Sequence, residues 1–596
     1  MIGREWSGRA GRQPDSRQHN RSLAVLGVNA YIHDSAAALV IDGHVVAAAR
    51  EERFSRVKHT GAFPEQAIAY CLQRADRDVP SLDGVAYYWR PWLGLLHRTG
   101  VLARSVPRSF AILGPHATVR GTPAAVLRHA LVPFAIGRQF GRPRQFHFVP
   151  HHVAHLAGAY FTSPFSAATV VSLDLAGERL STLAARATGD VLSVMRGVSY
   201  PHSLGSFYAA ITQYLGFQPF ADEYKVMGLA AFGTDTAYDR LRALVRLLPR
   251  GRFEIDLKYF THHLGADTLF SAKLERLLGP RRRPNSVIDV YGRHSDIAQA
   301  AQRVLEDVST HVVGQAVLDA GSQNLCMTGG VALNGSMINT LRKRLALDHL
   351  YVPASPDDAG AAAGAALAVW HKLVGPNGSR LPRPSPARPG PSYSDALVAR
   401  ELEQVDGLEA ERRGDFCAFA AERLAAGEAV AWFQGGMEFG PRALGGRSIL
   451  GDPRSIPVRD QIAREVKDRD GFRPFAASVL AESAREYFEL PDAAPHMIEV
   501  CPVVPEMRPL IPGVTHIDGT CRPHTVARED DELFWGLLTE FCGLTGCPLL
   551  LNTSFNRAGE PIVATVGDAL ATFRRTGLRW LIAGSYVIQK TAGPVP

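Results

Sequence analysis

The 596-residue sequence predicts an α/β protein of two domains, the first of them built on a module used twice. Three observations carry this. Short apolar runs bounded by polar turns alternate with helical patterns through most of the chain. A strand, polar turn and strand at 23–41 recur at 168–186, ATVVSLDLAGERLSTLAAR. A stretch rich in Pro, Gly and Ser, VGPNGSRLPRPSPARPGPSYS at 374–394, then breaks the composition and reads as a linker.

In chain order, residues 1–21 are polar and arginine-rich with no apolar stretch, and read as a disordered tail rather than a signal peptide. Apolar runs at 23–27, 35–41 and 44–49 read as three antiparallel strands, the last two joined by Asp42-Gly43, a hairpin signal. This is how actin-like ATPase domains (the sugar kinase, Hsp70 and actin type) begin. The recurrence at 168–186 suggests that the module is duplicated around a cleft. A long helix is expected at 295–321, followed by two strand–turn–helix units, NLCMTGGVALNGSMINTLRK and LYVPASPDDAGAAAGAALAVW. Such units build a mainly parallel core whose turns face a ligand. The expected boundaries are 22–385 for the actin-like domain and 386–596 for a smaller α/β domain.

Composition bounds the function. Apolar residues are 46% and charged residues 21%, so a large core is available. The net charge of +7 is spread along the chain rather than clustered, which argues against nucleic acid and suits a phosphorylated small substrate. The seven cysteines are scattered, as in a reduced cytoplasmic protein. No run of about 18 uncharged apolar residues predicts a membrane span.

Several motifs carry chemistry. His151 and His155, in VPHHVAHLAGAYF, are four apart and share a helix face, which allows a shared metal or simply core packing. Asp174, ending the strand SLD, and Asp358, in the turn PDDAG, could complete a shell suited to iron, manganese or zinc. Gly329 and Gly330, with Asn334 close behind, lie between a strand and a helix, where they cradle a phosphate or form a tight turn. His33, in the first polar turn, is a general base or part of a surface turn. Lys58 and Lys225 contact phosphate or are solvated edge charges. In the second domain, WFQGGMEFGPRALGGRSILGDPR places Arg442, Arg447 and Arg454 among glycines and apolar residues. With Lys467, Arg473, Arg522 and the hydroxyls of LNTSFNRAGEPIV, Ser554 in particular, they form a phosphate site or a set of structural salt bridges.

HDSAAALV, EERFSRVKH, HHVAH, PHSLGSFY, DEYKVMGLA, GGVALN, GPRALGGRSIL, FRPFA and LNTSFNRAGEPIV, in this order, resemble the O-carbamoyltransferases of nodulation and antibiotic biosynthesis, from about 22 to 590. The resemblance implies a large domain like the metalloprotein that transfers threonylcarbamoyl groups to tRNA. The small domain would be like threonylcarbamoyl-adenylate synthase. The small domain would join carbamoyl phosphate and ATP into carbamoyl-adenylate, and the large domain would pass the carbamoyl group to a hydroxyl of a small-molecule natural product. By motif, His151, His155, Asp174 and Asp358 would hold iron(II), with manganese or zinc as alternatives and Mg2+ compatible with the ATP site. His33 would deprotonate the acceptor, Lys58 would contact phosphate beside it, and Gly329, Gly330 and Asn334 would face a nucleotide. Arg442, Lys467, Arg473, Arg522 and Ser554 would line the carbamoyl phosphate and adenylate pocket.

The sequence departs from the family pattern at Leu175 (usually Gly), Gly436 (often Arg), Ala463 (often Asn) and His524 (often Gln). A cytoplasmic enzyme of secondary metabolism follows, with a homodimer compatible and neither nucleic acid nor membrane as a partner. The rivals are a tRNA-modifying threonylcarbamoyl transferase and a nucleotide-gated binding protein.

Overall fold

The structure is a computed structural model that describes residues 22–106, 123–265, 267–375, 386–468 and 471–591. The expected tail at 1–21 and residues 376–385 of the linker lie outside the described residues. The described chain divides into two compact units, one running up to Glu51 and from His59 to the linker, the other taking Glu52–Lys58 and the chain from Pro386.

The first unit repeats one sheet. Strands β1 (Ala24–Asn29), β2 (Ala36–Ile41), β3 (His44–Arg50), β4 (Gly84–Tyr87) and β5 (Phe146–Phe148) lie in the order 3-2-1-4-5. The first three are antiparallel, while β4 runs parallel to β1 and β5 to β4. Later in the chain come β6 (Ala167–Leu173), β7 (Leu180–Thr188), β8 (Val191–Ser199), a separate hairpin of β9 (Val245–Leu248) and β10 (Arg252–Ile255), then β11 (Asn324–Thr328) and β12 (His349–Tyr351). Without the hairpin these five strands form a second sheet with the same order and the same mixture of directions. The duplication is therefore present in topology, and the unit has the actin-like architecture.

Local chemistry explains these elements. Asp42 and Gly43 both have positive φ, 49° and 80°, the geometry a two-residue hairpin turn requires. β1 is buried along its whole length, as expected of a strand covered on both faces. The alanine-rich helix Asp358–Val374 lies directly on it: a Cβ on Gly27 would come within 1.9 Å of Ala362 O. The helix His151–Phe161 packs on the same alanine-rich helix through Gly158 and Gly364, where a Cβ on Gly364 would stand 1.9 Å from Ala154 O.

The second unit is a mixed eight-stranded sheet. Its strands are β13 (Leu408–Arg412), β14 (Val430–Phe433), β15 (Arg447–Gly451), β16 (Ala476–Leu480), β19 (Pro523–Val526), β20 (Leu549–Ser554), β21 (Trp580–Ala583) and β22 (Tyr586–Lys590); β17 (Cys501–Pro502) and β18 (Thr520–Cys521) form a separate short pair. The order is 13-22-21-14-15-20-16-19. A core centred on Trp432, Phe534, Phe541 and Leu581 covers it. The segment Glu52–Lys58, read from the sequence as part of the first domain, belongs to this unit for a visible reason. Arg53 donates to Gly440 O, and Arg56 donates to Ile562 O and Pro561 O. Among the described residues no helix is long and apolar enough to cross a membrane. All seven cysteines are free thiols.

Candidate active site

In the first unit, four side chains separated in sequence meet at the carboxyl ends of the strands. His151 and His155 lie in the first turns of the helix after β5, Asp358 begins the helix after β12, and Asp174 follows β6 directly. One ligand atom from each lies within 4.8 Å of the others, and all four residues are buried. His151 Nε2 is 2.8 Å from Asp174 Oδ2 and 3.7 Å from Asp358 Oδ1. His155 Nε2 is 3.8 Å from Asp174 Oδ2 and 3.4 Å from Asp358 Oδ1.

Each carboxylate turns one oxygen inward and spends the other elsewhere. Asp174 Oδ1 accepts from Gly330 N at 3.0 Å, and Asp358 Oδ2 faces His33 Nε2 at 3.7 Å. Thr328 Oγ1 donates to Pro356 O and so meets His155 Nδ1 as an acceptor, which leaves the lone pair of His155 on Nε2. That Nε2 is buried and has no hydrogen-bond partner among the described residues. Two imidazole nitrogens and two carboxylate oxygens around one point fit a divalent cation of the iron, manganese or zinc kind. Burial alone would lower the His151 pKa, but Asp358, Asp174 and Glu178 outweigh it and raise it to about 9. The cluster thus demands positive charge. His152 points away, bonded to Ser172 Oγ and Leu180 O, and burial drives it down to about 3.

His33 stands beside this cluster in the loop after β1. Its Nδ1 is 2.9 Å from Asp34 Oδ2, which directs Nε2 toward Asp358. Asp34 is held in turn by His59 Nδ1 at 2.8 Å and Arg50 at 3.4 Å. Burial works against its charge, yet the hydrogen bonds from His33 and His59 and the Arg50 guanidinium keep its carboxyl well below the ordinary range. Gly329 has φ 86°, and its missing Cβ makes room for Leu173 O at 2.1 Å. Asn334 caps the helix Gly335–Arg344 by accepting from Met337 N and exchanges amide hydrogen bonds with Gln302. Its side chain is thus committed to the helix cap and to Gln302. Lys58 is exposed and falls in the segment that belongs to the second unit. At Leu175 the carbonyl accepts from Ser203 Oγ at 2.7 Å.

In the second unit, the strand register brings the sequence-read cations to one end of the sheet. β15 and β16 run antiparallel to β20, and β19 runs parallel to β16. The starts of β15, β16 and β19 therefore lie beside the end of β20. Arg442 precedes β15, Arg473 precedes β16, Arg522 precedes β19, and Ser554 ends β20. Lys467 reaches the same edge, donating to Ser554 Oγ at 3.1 Å and Asn556 Oδ1 at 2.6 Å. Asn552 donates to Ala443 O at 3.2 Å, which ties the Arg442 loop to β20.

Arg447 and Arg454 do not join this edge as anion ligands. Arg447 is buried in a cage of carbonyls, donating to Gln434, Gly435, Gly446 and Pro391, with its guanidinium 3.8 Å from the centre of the Phe433 ring. Arg454 pairs with Asp452 at 2.8 Å. The loop is shaped by Glu438, whose Oε1 accepts from the backbone of Leu444, Gly446 and Arg447. At Gly436 a Cβ would come within 2.4 Å of Arg388 O, so a larger residue there needs a different backbone. Sequence reading missed Arg50, Glu178 and Glu438, which no local pattern marks; Asp34 lies in the polar turn that the sequence singles out with His33.

Residues 24–92 and 121–367 match the family model described as Carbamoyltransferase N-terminus, and 421–590 match Carbamoyltransferase C-terminus. An uncharacterized protein of Synechocystis sp. is 38% identical, covering 96% of this chain and 97% of that one. Nodulation protein NolNO of Sinorhizobium fredii is 36% identical, covering 97% of this chain and 82% of that one. Nodulation protein NolO of Bradyrhizobium diazoefficiens is 36% identical over 74% of this chain and 78% of its own. Among solved structures, component A of the (R)-2-hydroxyglutaryl-CoA dehydratase of Acidaminococcus fermentans aligns at a TM-score of 0.33 and 14% identity, over 59% of this chain and 100% of that one.

Proposed function

The chain belongs to the carbamoyltransferase family, and we propose that it makes carbamoyl-adenylate from carbamoyl phosphate and ATP and passes the carbamoyl group to a hydroxyl of a small-molecule natural product. The observation that carries this is the His33–Asp34 pair set against the buried His151, His155, Asp174 and Asp358 cluster. A base with a fixed tautomer beside a cation site is what attack by a hydroxyl on an activated carbonyl needs.

In the second unit, the edge bearing Arg442, Arg473, Arg522, Lys467 and Ser554 supplies fixed positive charge for carbamoyl phosphate and the ATP phosphates. Water first cleaves carbamoyl phosphate to carbamate and inorganic phosphate; a carbamate oxygen then attacks the α-phosphorus of ATP, pyrophosphate leaves, and the mixed anhydride forms. In the first unit, His33 Nε2 takes the acceptor proton as the acceptor oxygen bonds to the carbamoyl carbon, and AMP leaves. Asp34 holds the imidazole so that Nδ1 keeps its proton and Nε2 receives the new one. His151, His155, Asp174 and Asp358 would hold iron, with manganese or zinc as alternatives, and a metal there supplies Lewis-acid polarisation of the oxygens at the reacting centre. Burial of the cluster limits water, which would otherwise hydrolyse the anhydride.

The test is pyrophosphate release from purified protein given ATP and carbamoyl phosphate, each omitted in turn. Release should need both. The variant His33→Ala should release pyrophosphate at the parental rate yet transfer slowly to an acceptor hydroxyl. Full-rate transfer by that variant would remove His33 as the base.

A further inference from the structure

The His33 loop and the Asp358 helix come from opposite halves of the duplicated unit, yet one buried amide joins them. Asn29, the last residue of β1, is fully buried. Its Nδ2 donates to Asp34 O at 2.9 Å and to Asp358 O at 2.9 Å, with His33 O at 3.4 Å. Its Oδ1 has no hydrogen-bond partner among the described residues. The amide is therefore oriented by its donor side alone, since turning it over would set Oδ1 against three carbonyls. Gly27, two residues earlier and hence on the same face of the strand, admits the helix Asp358–Val374 and brings Asp358 within reach. Arg50 ties the same two loops through side chains, with bonds to Asp34 Oδ1, Ser355 Oγ and Asp357 Oδ2.

We propose that Asn29 is a positioning residue for carbamoyl transfer, fixing the separation of His33 and Asp358 by donating to both of their backbone segments at once. This rests on His33 being the proton acceptor. Asn29 touches none of the reacting groups proposed above, and what it sets is the 3.7 Å between His33 Nε2 and Asp358 Oδ2. A displacement near 1 Å at such a distance lowers turnover on the order of 100-fold.

The experiment uses the full chain with Asn29→Ala, Asn29→Ser and Asn29→Asp. The readouts are kcat and KM for the acceptor, and amide hydrogen exchange over residues 30–35. Asp matches Asn in shape but has no N–H and turns an oxygen toward the carbonyls. The expected result is a kcat lower by roughly 10- to 100-fold in Ala and Ser and lower still in Asp, an acceptor KM within about twofold, and faster exchange at 30–35. A packing role predicts the opposite order, with Asp the least affected. Asp more active than Ala, or a parental kcat in Ala or Ser, would overturn the proposal. If His33→Ala itself transfers at the full rate, the assignment of His33 fails instead, and the two failures are told apart.

Discussion

Replacing Gly364 with alanine adds one methyl group between two helices, yet it should empty the proposed metal site. The added Cβ would lie 1.9 Å from Ala154 O and 2.8 Å from Gly158 N, and ordinary contact begins at 3.4 Å. Moving from 1.9 Å to 3.4 Å requires the two helices to part locally by about 1.5 Å. Neither contact is a flexible side chain that can swing away. Ala154 immediately precedes His155, while Gly364 lies on the helix that begins with Asp358. The strain therefore acts between the histidine pair and one of its two carboxylates. Metal sites tolerate ligand displacements of about 0.2 Å, so a shift of this size should strip the metal as well as cost roughly 1–3 kcal/mol of stability. Elemental analysis and thermal melting of Gly364→Ala would show both effects. The control is Gly137→Ala, in the helix Val132–Phe140, where a Cβ meets nothing within 4 Å. That variant should keep its metal and gain up to about 1 kcal/mol. Full metal content and an unshifted melt in Gly364→Ala would refute the reasoning.

The other predictions separate ligands, anion contacts and scaffold. His155→Ala should lose bound metal while remaining folded, and unchanged metal by elemental analysis would remove it from the shell. Arg442→Ala should fold and fail to release pyrophosphate. By contrast, Arg447→Ala leaves four buried carbonyls without their donor and should lose about 3 kcal/mol or more in a denaturant melt. Equal stabilities of the two variants would contradict that division. His524 is pushed down to about 3, first by burial and then by Arg388 and His496. A base with a depressed folded pKa binds its proton better when unfolded, so stability is full above about pH 6.5 and falls below it, by about 2 kcal/mol at pH 5. His524→Gln should flatten that acid slope for the second unit. Parallel slopes in parent and variant would show that His524 does not set it.

Much of the fold was legible because its signals are local. The runs at 23–49 became β1 to β3, and the Asp42-Gly43 turn could be read from two residues. The helix expected at 295–321 is Arg293–Ala320. The site was legible where residue type limits the options: two histidines at helical spacing and aspartates at strand ends have few ways to be buried together. What escaped is relational. No local pattern distinguishes Arg442 from Arg447, five residues away in the same glycine-rich loop, because only the fold reveals that carbonyls surround Arg447. Asn29 ends an unremarkable apolar strand, and its partners are a few residues away on one side and 329 residues away on the other. The third strand of the second sheet, β8, has mostly half-buried residues, and so lacks the apolar run that revealed β2 and β3.

The duplication explains why the site is where it is. His33 and Asp174 both stand in the loop that follows the first strand of a copy, β1 in one sheet and β6 in the other. His151 and Asp358 both begin the helix that follows the last strand of a copy, β5 and β12. The two copies thus contribute equivalent places with different chemistry: a base against a carboxylate in the first loop, imidazoles against a carboxylate at the helix start. Those two helices also meet at Gly158 and Gly364, each within two turns of its helix start, which is close enough to hold the ligands together. Copies with identical residues would pair like with like at each equivalent place, and buried carboxylates paired in this way would repel. Divergence to histidines on one side and aspartates on the other leaves a site of mixed donors that one divalent cation satisfies. It also leaves one imidazole, His33, outside the shell with its Nε2 turned toward Asp358. Exchanging His33 with Asp174 should therefore abolish transfer without disturbing either sheet.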